Sequence, residues 1–367
     1  MMQWREGVVD RQIREWPGAV EYAVRLTSAE DTSSEVRALA YTGMVGRPEP
    51  GDRVVLNASA LLKGLGTGGL AFIVAVPDRL PADAPDSPGH IVKARYTPQQ
   101  QMFLAVDEQD SLHHHVLRDA ESLEAMPVVV ADLHSALPAI IAGVRRTQPD
   151  AQVAYVMTDG GALPLAFSRA VAGLKEAGWI AASITVGQAF GGDHEAVSLH
   201  SGLLAARHVV GADVTVVVQG PGNVGTGTPW GYSGVAVADV LHATHVLGGT
   251  SIAALRVSGA DPRSRHRGIS HHSTTAYGKA LLSPAIVPVP ASGGEMAALV
   301  RTQAAKLSET SRADLDIVEI GTEGLLDALR QSPVKLSTMG RGLEEDLAGF
   351  VVSAVAGVCA AERISAR

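Results

Sequence analysis

The feature that most constrains the fold is a regular alternation of short apolar runs and longer amphipathic stretches from residue 127 onward. The apolar runs predict strands at Pro127–Ala131, Val153–Met157, Ile180–Val186, Val214–Val218, Ser251–Val257, Ala285–Pro290 and Ile317–Ile320. Helical spacing predicts helices over Ala162–Gly178, Ala196–Val210, Val235–Leu247 and Val351–Ala361. This order predicts right-handed crossovers and a mainly parallel, doubly wound sheet with helices on both faces.

The first hundred residues follow a different pattern, without any long helical segment. Short runs bounded by turn residues predict strands at Gly18–Thr27, Glu35–Met44, Asp52–Asn57 and Leu70–Val76, which favours a small antiparallel barrel or sandwich. His90–Tyr96 and Gln101–Val106 extend this pattern, so we place the boundary near residue 107. The prediction is an α/β protein with a β-barrel-like domain at 1–107 and an α/β domain at 108–367.

Charge and cysteine content limit the classes of partner and site. The chain has 38 acidic and 30 basic residues, and this net charge of −8 disfavours nucleic-acid binding as the main role. Its single cysteine, Cys359, excludes an internal disulfide and a zinc site built of cysteines alone. The start, MMQWREGVVD, has no signal-peptide core, and the longest apolar run, 348–361, is too short to span a membrane. We therefore expect a cytoplasmic protein without a membrane partner, with a homo-oligomer as the default assembly.

Glycines are concentrated in the turns that follow the predicted strands. In an open α/β sheet, ligands bind beyond the carboxyl ends of the strands, where five of these turns should meet. Backbone N–H groups in such turns and at helix starts can hold an anion, and capping or turn geometry is the alternative explanation. The predicted anion-binding glycines are Gly160, Gly161, Gly191, Gly192, Gly220, Gly222 and Gly225.

The segment Gly220–Gly225 reads GPGNVG and matches the G-x-G-x-x-G pattern of dinucleotide-binding loops. However, the Gly-rich stretch continues to Gly234, so no helix is predicted to open at the motif. The next strand also ends too far along the chain to place the ribose-binding acid at its usual spacing. This pattern argues against NAD as a cofactor.

The segment Asp261–Ser273, DPRSRHRGISHHS, combines guanidinium and imidazole groups in one predicted turn. Arginine forks bind phosphate or carboxylate oxygens, so Arg263, Arg265 and Arg267 are predicted substrate-binding residues. Imidazoles move protons or bind metals, so the candidate catalytic residues are His271, His272, His266 and Asp193. The candidate ligands for a divalent metal are His271, His272, Asp261 and His194. A solvated polar loop is the alternative, and no established metal-ligand spacing such as H-E-x-x-H is present.

Several blocks of the sequence resemble an uncharacterised bacterial domain-of-unknown-function family, DUF3866, of actinobacteria and firmicutes. They are MPVVVADLHSALP, MTDGGALPLAFS, ITVGQAFGGDHEAV, GPGNVGTGTPWGYSG and DPRSRHRGISHHS, which begin at residues 126, 157, 184, 220 and 261. The resemblance covers most of the chain and implies a cytoplasmic protein. It implies no reaction, substrate or catalytic residue.

Three functions are compatible with these observations. The first is a hydrolase or group transferase for a small anionic or phosphorylated metabolite, bound at the Gly-rich and His/Arg-rich turns. The second is a non-catalytic protein that binds or senses a nucleotide or sugar phosphate with the same residues. The third is a scaffold whose polar turns are only loops.

Overall fold

The chain forms two compact units in a computed structural model, which describes residues 2–27, 35–66, 68–83 and 86–364. One unit comprises Met1–Pro88 and Ala94–Gln101, and the other comprises Gly89–Lys93 and Met102–Arg367. The predicted boundary near residue 107 lies inside the second unit.

The first unit contains a closed five-stranded barrel, which confirms the barrel predicted from the sequence. Its strands follow the order β1-β2-β3-β5-β4, with β1 (Trp4–Trp16), β2 (Ala19–Leu26), β3 (Glu35–Tyr41), β4 (Arg53–Asn57) and β5 (Ala71–Ala75). Short helices α1 (Thr42–Val45) and α2 (Ser59–Leu62) lie between strands. Alternation along the strands buries Val9, Tyr22, Val54 and Ile73 inside. The β3–β5 pair is parallel, whereas the other pairs are antiparallel as predicted.

The second unit contains an eight-stranded, all-parallel sheet, which confirms the α/β fold. Its strand order is β11-β10-β9-β12-β8-β13-β16-β17. The strands outside the barrel are β6 (Ile91–Lys93), β7 (Gln101–Phe103), β8 (Pro127–Ala131), β9 (Val153–Thr158), β10 (Ala182–Thr185), β11 (His194–Glu195), β12 (Val214–Gln219), β13 (Thr250–Ala253), β14 (Val257–Ser258), β15 (Gly268–Ile269), β16 (Ala285–Pro290), β17 (Leu315–Ile320), β18 (Ser337–Thr338) and β19 (Arg341–Gly342).

Helices cover both faces of this sheet, as the alternating pattern predicts. They are α3 (His114–Leu117), α4 (Leu137–Thr147), α5 (Arg169–Glu176), α6 (Leu199–His208), α7 (Val237–Val246), α8 (His271–Thr275), α9 (Glu295–Thr310), α10 (Leu325–Arg330) and α11 (Leu347–Ala361). Helices α4, α5, α10 and α11 pack on one face through a core that includes Ile140, Leu174 and Val355. Helices α6, α7 and α9 pack on the other through Leu203, Leu241 and Leu307. The sheet is therefore doubly wound.

Two predicted helices begin three or more residues later than the sequence pattern indicates. The helix predicted from Ala162 begins at Arg169, because Pro164 is extended and the Ser168 hydroxyl accepts the N–H of Val171 as the N-cap. The helix predicted from Ala196 begins at Leu199, with Ser198 as its N-cap. Asp193 therefore caps no helix, and the residues after it form the edge strand β11.

Helices α4 and α11 approach each other closely enough for their backbones to touch. A Cβ atom at Gly357 would lie 1.9 Å from the carbonyl oxygen of Ile140, and one at Gly143 would lie 2.0 Å from that of Ala354. Hydrogen is therefore the only side chain that fits at these two positions.

Helix α11 is strongly apolar but has only 15 residues. Among the described residues, no helix is both long enough and apolar enough to cross a bilayer.

Candidate functional site

The candidate site lies at the carboxyl ends of β8 and β13, two adjacent strands near the middle of the sheet. Asp132 directly follows β8, and Arg256 follows β13 by three residues. After β8 the chain crosses to α4 on one face of the sheet, and after β13 it crosses to the opposite face. The two connections therefore diverge here, and such a topological switch point is where α/β sheets bind ligands. A small, partly open cleft of about 30 Å³ is present there, and its polar lining includes Asp132, Ser135, Arg256, Thr338 and Ser353.

Asp132, Arg256 and His272 form a hydrogen-bonded group beside this cleft. One Arg256 guanidinium nitrogen lies 2.8 Å from Nδ1 of His272 and 3.3 Å from a carboxylate oxygen of Asp132. The same carboxylate oxygen lies 3.5 Å from His272 Nδ1. All three side chains are largely buried, with 8–14% of their surface exposed. The Arg256 charge is therefore offset by Asp132 and held in a fixed orientation.

His272 belongs to a cluster with His266 and His271. The ring centroids are 4.3–5.2 Å apart. The antiparallel pair β14–β15 closes the loop that carries His266 and returns the chain to Ser270. The Ser270 hydroxyl accepts the N–H of His272 as the N-cap of α8 and contacts Nδ1 of His266 at 2.7 Å. One serine thus positions two of the histidines.

The environment of the cluster keeps two of its histidines neutral. Burial, together with the nearby Arg256 and Arg263 charges, lowers the pKa of His266 to about 4. Burial also lowers the pKa of His271, and the neighbouring His272 lowers it further. Neutral imidazoles carry a free lone pair on one ring nitrogen. His271 Nε2 is buried and has no hydrogen-bond partner among the residues that the structure describes.

The Gly-rich loop after β12 reaches this cluster through Tyr232. The Tyr232 ring stacks on His272 with centroids 4.0 Å apart, and its hydroxyl donates to the His272 carbonyl at 2.7 Å. Burial raises the pKa of Tyr232 well above its usual value, so the hydroxyl remains a donor. Asn223 donates to the Asp132 carbonyl at 3.4 Å. The loop is therefore attached to the site, and α7 opens only at Val237, well after the GPGNVG motif.

The predicted anion-binding glycines of the β9 and β12 turns allow two backbones to pack against each other. A Cβ at Gly161 would lie 2.1 Å from the Gly220 carbonyl, one at Gly220 would lie 2.2 Å from that of Ala162, and one at Gly160 would meet the Gln219 side chain at 2.3 Å. Gly222 has a φ of +100° and open space around it, and Gly225 lies near Tyr232. Close backbone packing thus explains Gly161 and Gly220, whereas Gly160 meets only the end of the Gln219 side chain.

Four of the predicted site residues lie at the β10–β11 edge of the sheet, namely Gly191, Gly192, Asp193 and His194. The N–H groups of Gly191 and Gly192 donate to Glu195 and Thr185. Asp193 accepts from Lys175 and from both the backbone and the hydroxyl of Ser183, and His194 meets His113 edge to face. Strand β11 is four strands from β8, or about 19 Å at ~4.8 Å per strand. Asp193 and His194 are therefore separate from the histidine cluster.

A buried ion pair stabilises this sheet edge. The Lys93 ammonium donates to Glu195 at 2.7 Å and to the carbonyls of Thr185 and Ala189 at 2.9 and 2.8 Å. Its side chain is 0% exposed. The Glu195 carboxylate also accepts the Thr185 hydroxyl and the Gly191 N–H. Burial lowers the pKa of Lys93, although the Glu195 charge opposes that shift. Every polar atom of the pair has a partner, which indicates a structural role.

The arginines of the predicted DPRSRHRGISHHS site differ in their surroundings. Arg263 binds the Asp261 carboxylate at 2.8 and 3.0 Å, which holds the pKa of that carboxyl far below its usual range. This pairing occupies Asp261, and the three histidines group together without it. Arg265 and Arg267 are exposed and form no ion pair with any described residue.

His134 and Ser168 form a second histidine-containing pair, beyond the ends of β8 and β9. His134 Nε2 lies 2.6 Å from the Ser168 hydroxyl, and Nδ1 lies 3.2 Å from the Gln219 carbonyl. A serine bonded to a neutral histidine is the arrangement that activates a nucleophile. Here, however, Ser168 is only 4% exposed and its hydroxyl caps α5. The pair is better explained as a structural connection between two turns.

This pair predicts a pH-dependent stability. Burial lowers the pKa of His134 to about 4, against 6.5 in the unfolded chain, so the unfolded state binds more protons between these values. Stability is therefore lost as the pH falls below 6.5. Between pH 7 and pH 5, the free energy of unfolding should fall by about 2 kcal/mol more in the wild type than in His134→Asn. Urea unfolding followed by circular dichroism measures this difference, and equal pH dependences would contradict it.

Three residues of the site were not predicted from the sequence: Asp132, Arg256 and Tyr232. Each had a local signal. Asp132 is the first polar residue after the apolar run of β8, and Arg256 is the single charge within the run predicted as strand Ser251–Val257. Tyr232 lies close behind the glycines of the GPGNVG loop. The contacts of Arg256 with Asp132 and of Tyr232 with His272 join residues 124 and 40 positions apart, which local patterns do not encode.

Comparison with known proteins gives a family and no activity. No curated protein and no solved structure matches the chain. The model of the family described as "Protein of unknown function (DUF3866)" matches residues 37–357, which include the sheet and every residue of the candidate site. The chain belongs to the DUF3866 family.

Proposed function

We propose that this protein is a hydrolase or group transferase that acts on a small anionic or phosphorylated metabolite in the cleft beyond β8 and β13. The observation that carries the proposal is the contact of Arg256 with both Asp132 and His272 at the edge of that cleft. A cation, a carboxylate and a titratable ring meet there at a switch point of the sheet.

The charges of the site suit an anionic substrate. Arg256 lines the cleft and can form paired hydrogen bonds to phosphate or carboxylate oxygens. It would also stabilise negative charge that develops during the reaction. Exposed Arg265 adds positive charge near His271. The three imidazoles supply the acid–base or nucleophile-activating group, and Asp132 orients His272.

One observation favours the alternative of a binding or sensing protein. Asp132 already offsets the Arg256 charge within the protein. Such a site can recognise an anion by exchange of partners without any reaction. The two functions differ in whether the bound molecule is chemically changed.

The test combines binding and turnover with defined probes. We expect inorganic phosphate or pyrophosphate to raise the melting temperature of the wild type, and a phosphate mono- or diester such as p-nitrophenyl phosphate to be hydrolysed. Arg256→Met should remove the thermal shift and, like His272→Asn, lower turnover by about 10²-fold or more. Arg118→Met, which breaks an exposed pair with Asp119, serves as the control and should change neither.

The outcomes separate the two functions. A probe that stabilises the protein and is recovered unchanged after prolonged incubation supports binding or sensing. Equal thermal shifts in wild type and Arg256→Met would contradict an anion site at this cleft.

A further inference from the structure

We propose that His266, His271 and His272 bind one divalent, late first-row transition metal ion of the Zn²⁺ class. A ligand nitrogen from each ring lies within 4.8 Å of the other two. Imidazole suits Zn²⁺, Ni²⁺, Cu²⁺ and Fe²⁺, whereas Mg²⁺ and Ca²⁺ require oxygen ligands. Three protein nitrogens with one open position are a pattern of catalytic zinc sites.

The hydrogen bonds of the cluster leave a nitrogen of each ring for a cation. His266 uses Nδ1 toward the Ser270 hydroxyl, which leaves its Nε2. His272 Nδ1 accepts an N–H of Arg256, so Nε2 of His272 carries the ring proton in this arrangement and is the nitrogen that a metal would engage once that proton moves to Nδ1. His271 Nε2 is buried without a hydrogen-bond partner among the described residues, a costly state that a metal ion would relieve.

The surroundings supply the outer contacts that metal-bound histidines require. The Ser270 hydroxyl can accept a hydrogen bond from the Nδ1–H group of His266, which leaves the lone pair on Nε2. The Asp132 carboxylate, 3.5 Å from His272 Nδ1, can do the same for His272. Arg256 must then direct its N–H to Asp132 alone, which already lies 3.3 Å away. A carboxylate–histidine–metal arrangement results.

The geometry requires only a small closure. Zn–N bonds of about 2.0–2.1 Å in a tetrahedral site place ligand nitrogens roughly 3.4 Å apart. His271 is partly exposed and lies in the first turn of α8, which leaves its ring room to adjust toward the other two. Of the adjacent charges, Arg256 and Arg263 are paired with Asp132 and Asp261, so only the exposed Arg265 near His271 opposes a cation without a paired carboxylate.

The bound ion would retain an open coordination position for water, whose pKa zinc lowers to about 7. That catalytic consequence rests on the proposed function. Cation binding by the histidines does not rest on the proposed function, and the titration described next would measure it without any substrate.

The experiment titrates the metal-stripped full chain with Zn²⁺ in competition with a chromophoric chelator, and with Co²⁺ followed by visible absorption. We expect one equivalent of Zn²⁺ per chain and the intense d–d bands of four- or five-coordinate Co²⁺. His266→Asn, His271→Asn and His272→Asn should each weaken Zn²⁺ binding by more than 100-fold. Asp132→Asn should weaken it by about 10- to 100-fold, as outer contacts do.

The control variants are His242→Asn and His208→Asn, because these two histidines lie on α7 and α6 outside the cluster. Both variant proteins should bind Zn²⁺ as tightly as the wild type. Wild-type measurements alone also decide the matter if a variant fails to fold. A wild type that binds less than one equivalent, or that gives only the weak spectrum of six-coordinate Co²⁺, would overturn the proposal. Tight Zn²⁺ binding without turnover of any phosphate ester would support the metal site and count against the proposed function.

Discussion

Lys93→Met should lower the free energy of unfolding of the second unit by about 3–5 kcal/mol. The substitution keeps the length of the side chain but removes the ammonium that Glu195 and two backbone carbonyls share. It therefore leaves a carboxylate buried without its counter-charge, which costs far more than the net contribution of the pair. Urea unfolding followed by far-ultraviolet circular dichroism measures the change, because nearly all helices belong to the second unit.

The same sheet edge offers a matched control. Lys175 pairs with Asp193, but both side chains are 33–40% exposed, so Lys175→Met should cost only about 0–1 kcal/mol. The double variant Lys93→Met/Glu195→Gln removes the unpaired charge and should recover part of the loss. If Lys93→Met were no less stable than Lys175→Met, the buried pair would not carry the stability assigned to it.

Gly357→Ala should destabilise the second unit by about 3 kcal/mol or more, at the upper end of the effects of overpacking. By helix propensity alone, this change would stabilise α11 by about 1 kcal/mol. The expected change in stability has the opposite sign because the new methyl group would lie 1.9 Å from the Ile140 carbonyl oxygen. A backbone atom cannot move aside as a flexible side chain can, so α4 and α11 would have to separate.

Gly293→Ala is the control for this prediction. Gly293 has open space where a Cβ would be added, so its substitution should change stability by less than about 0.5 kcal/mol. Thermal unfolding of both variants, followed by circular dichroism, provides the comparison. A Gly357→Ala protein as stable as the wild type would show that the two helices pack with more tolerance than the structure indicates.

The sequence predicts the central strands of the second unit well because each is buried on both faces. Such strands are continuous runs of Val, Ile and Ala, as at 127–131 and 214–218, and their identity does not depend on neighbours. Strand β1 was missed for the opposite reason. Its sequence, WREGVVDRQIREW, exposes most of its side chains, and its pairing with β2 and β4 rather than its composition makes it a strand.

The site was predicted in part. Concentration of His and Arg after one predicted strand identified His266, His271 and His272, which do lie together. It did not distinguish Arg263, which binds Asp261, from Arg256, which faces the cleft, because both are arginines near the same strand end. Among the glycines, a packing role and an anion-binding role leave the same signature in sequence. Only the distances to neighbouring backbones separate them.

Arg256 is shared between the cleft and the histidine cluster, since its guanidinium contacts both Asp132 and His272. An anion in the cleft that draws this guanidinium away would free Asp132 to accept a hydrogen bond from the Nδ1–H group of His272. Occupancy of the cleft and occupancy of the cluster would then be thermodynamically linked, so that each ligand raises the affinity for the other by the same factor. The two sites would act as one cooperative unit, in which a single arginine transmits the coupling.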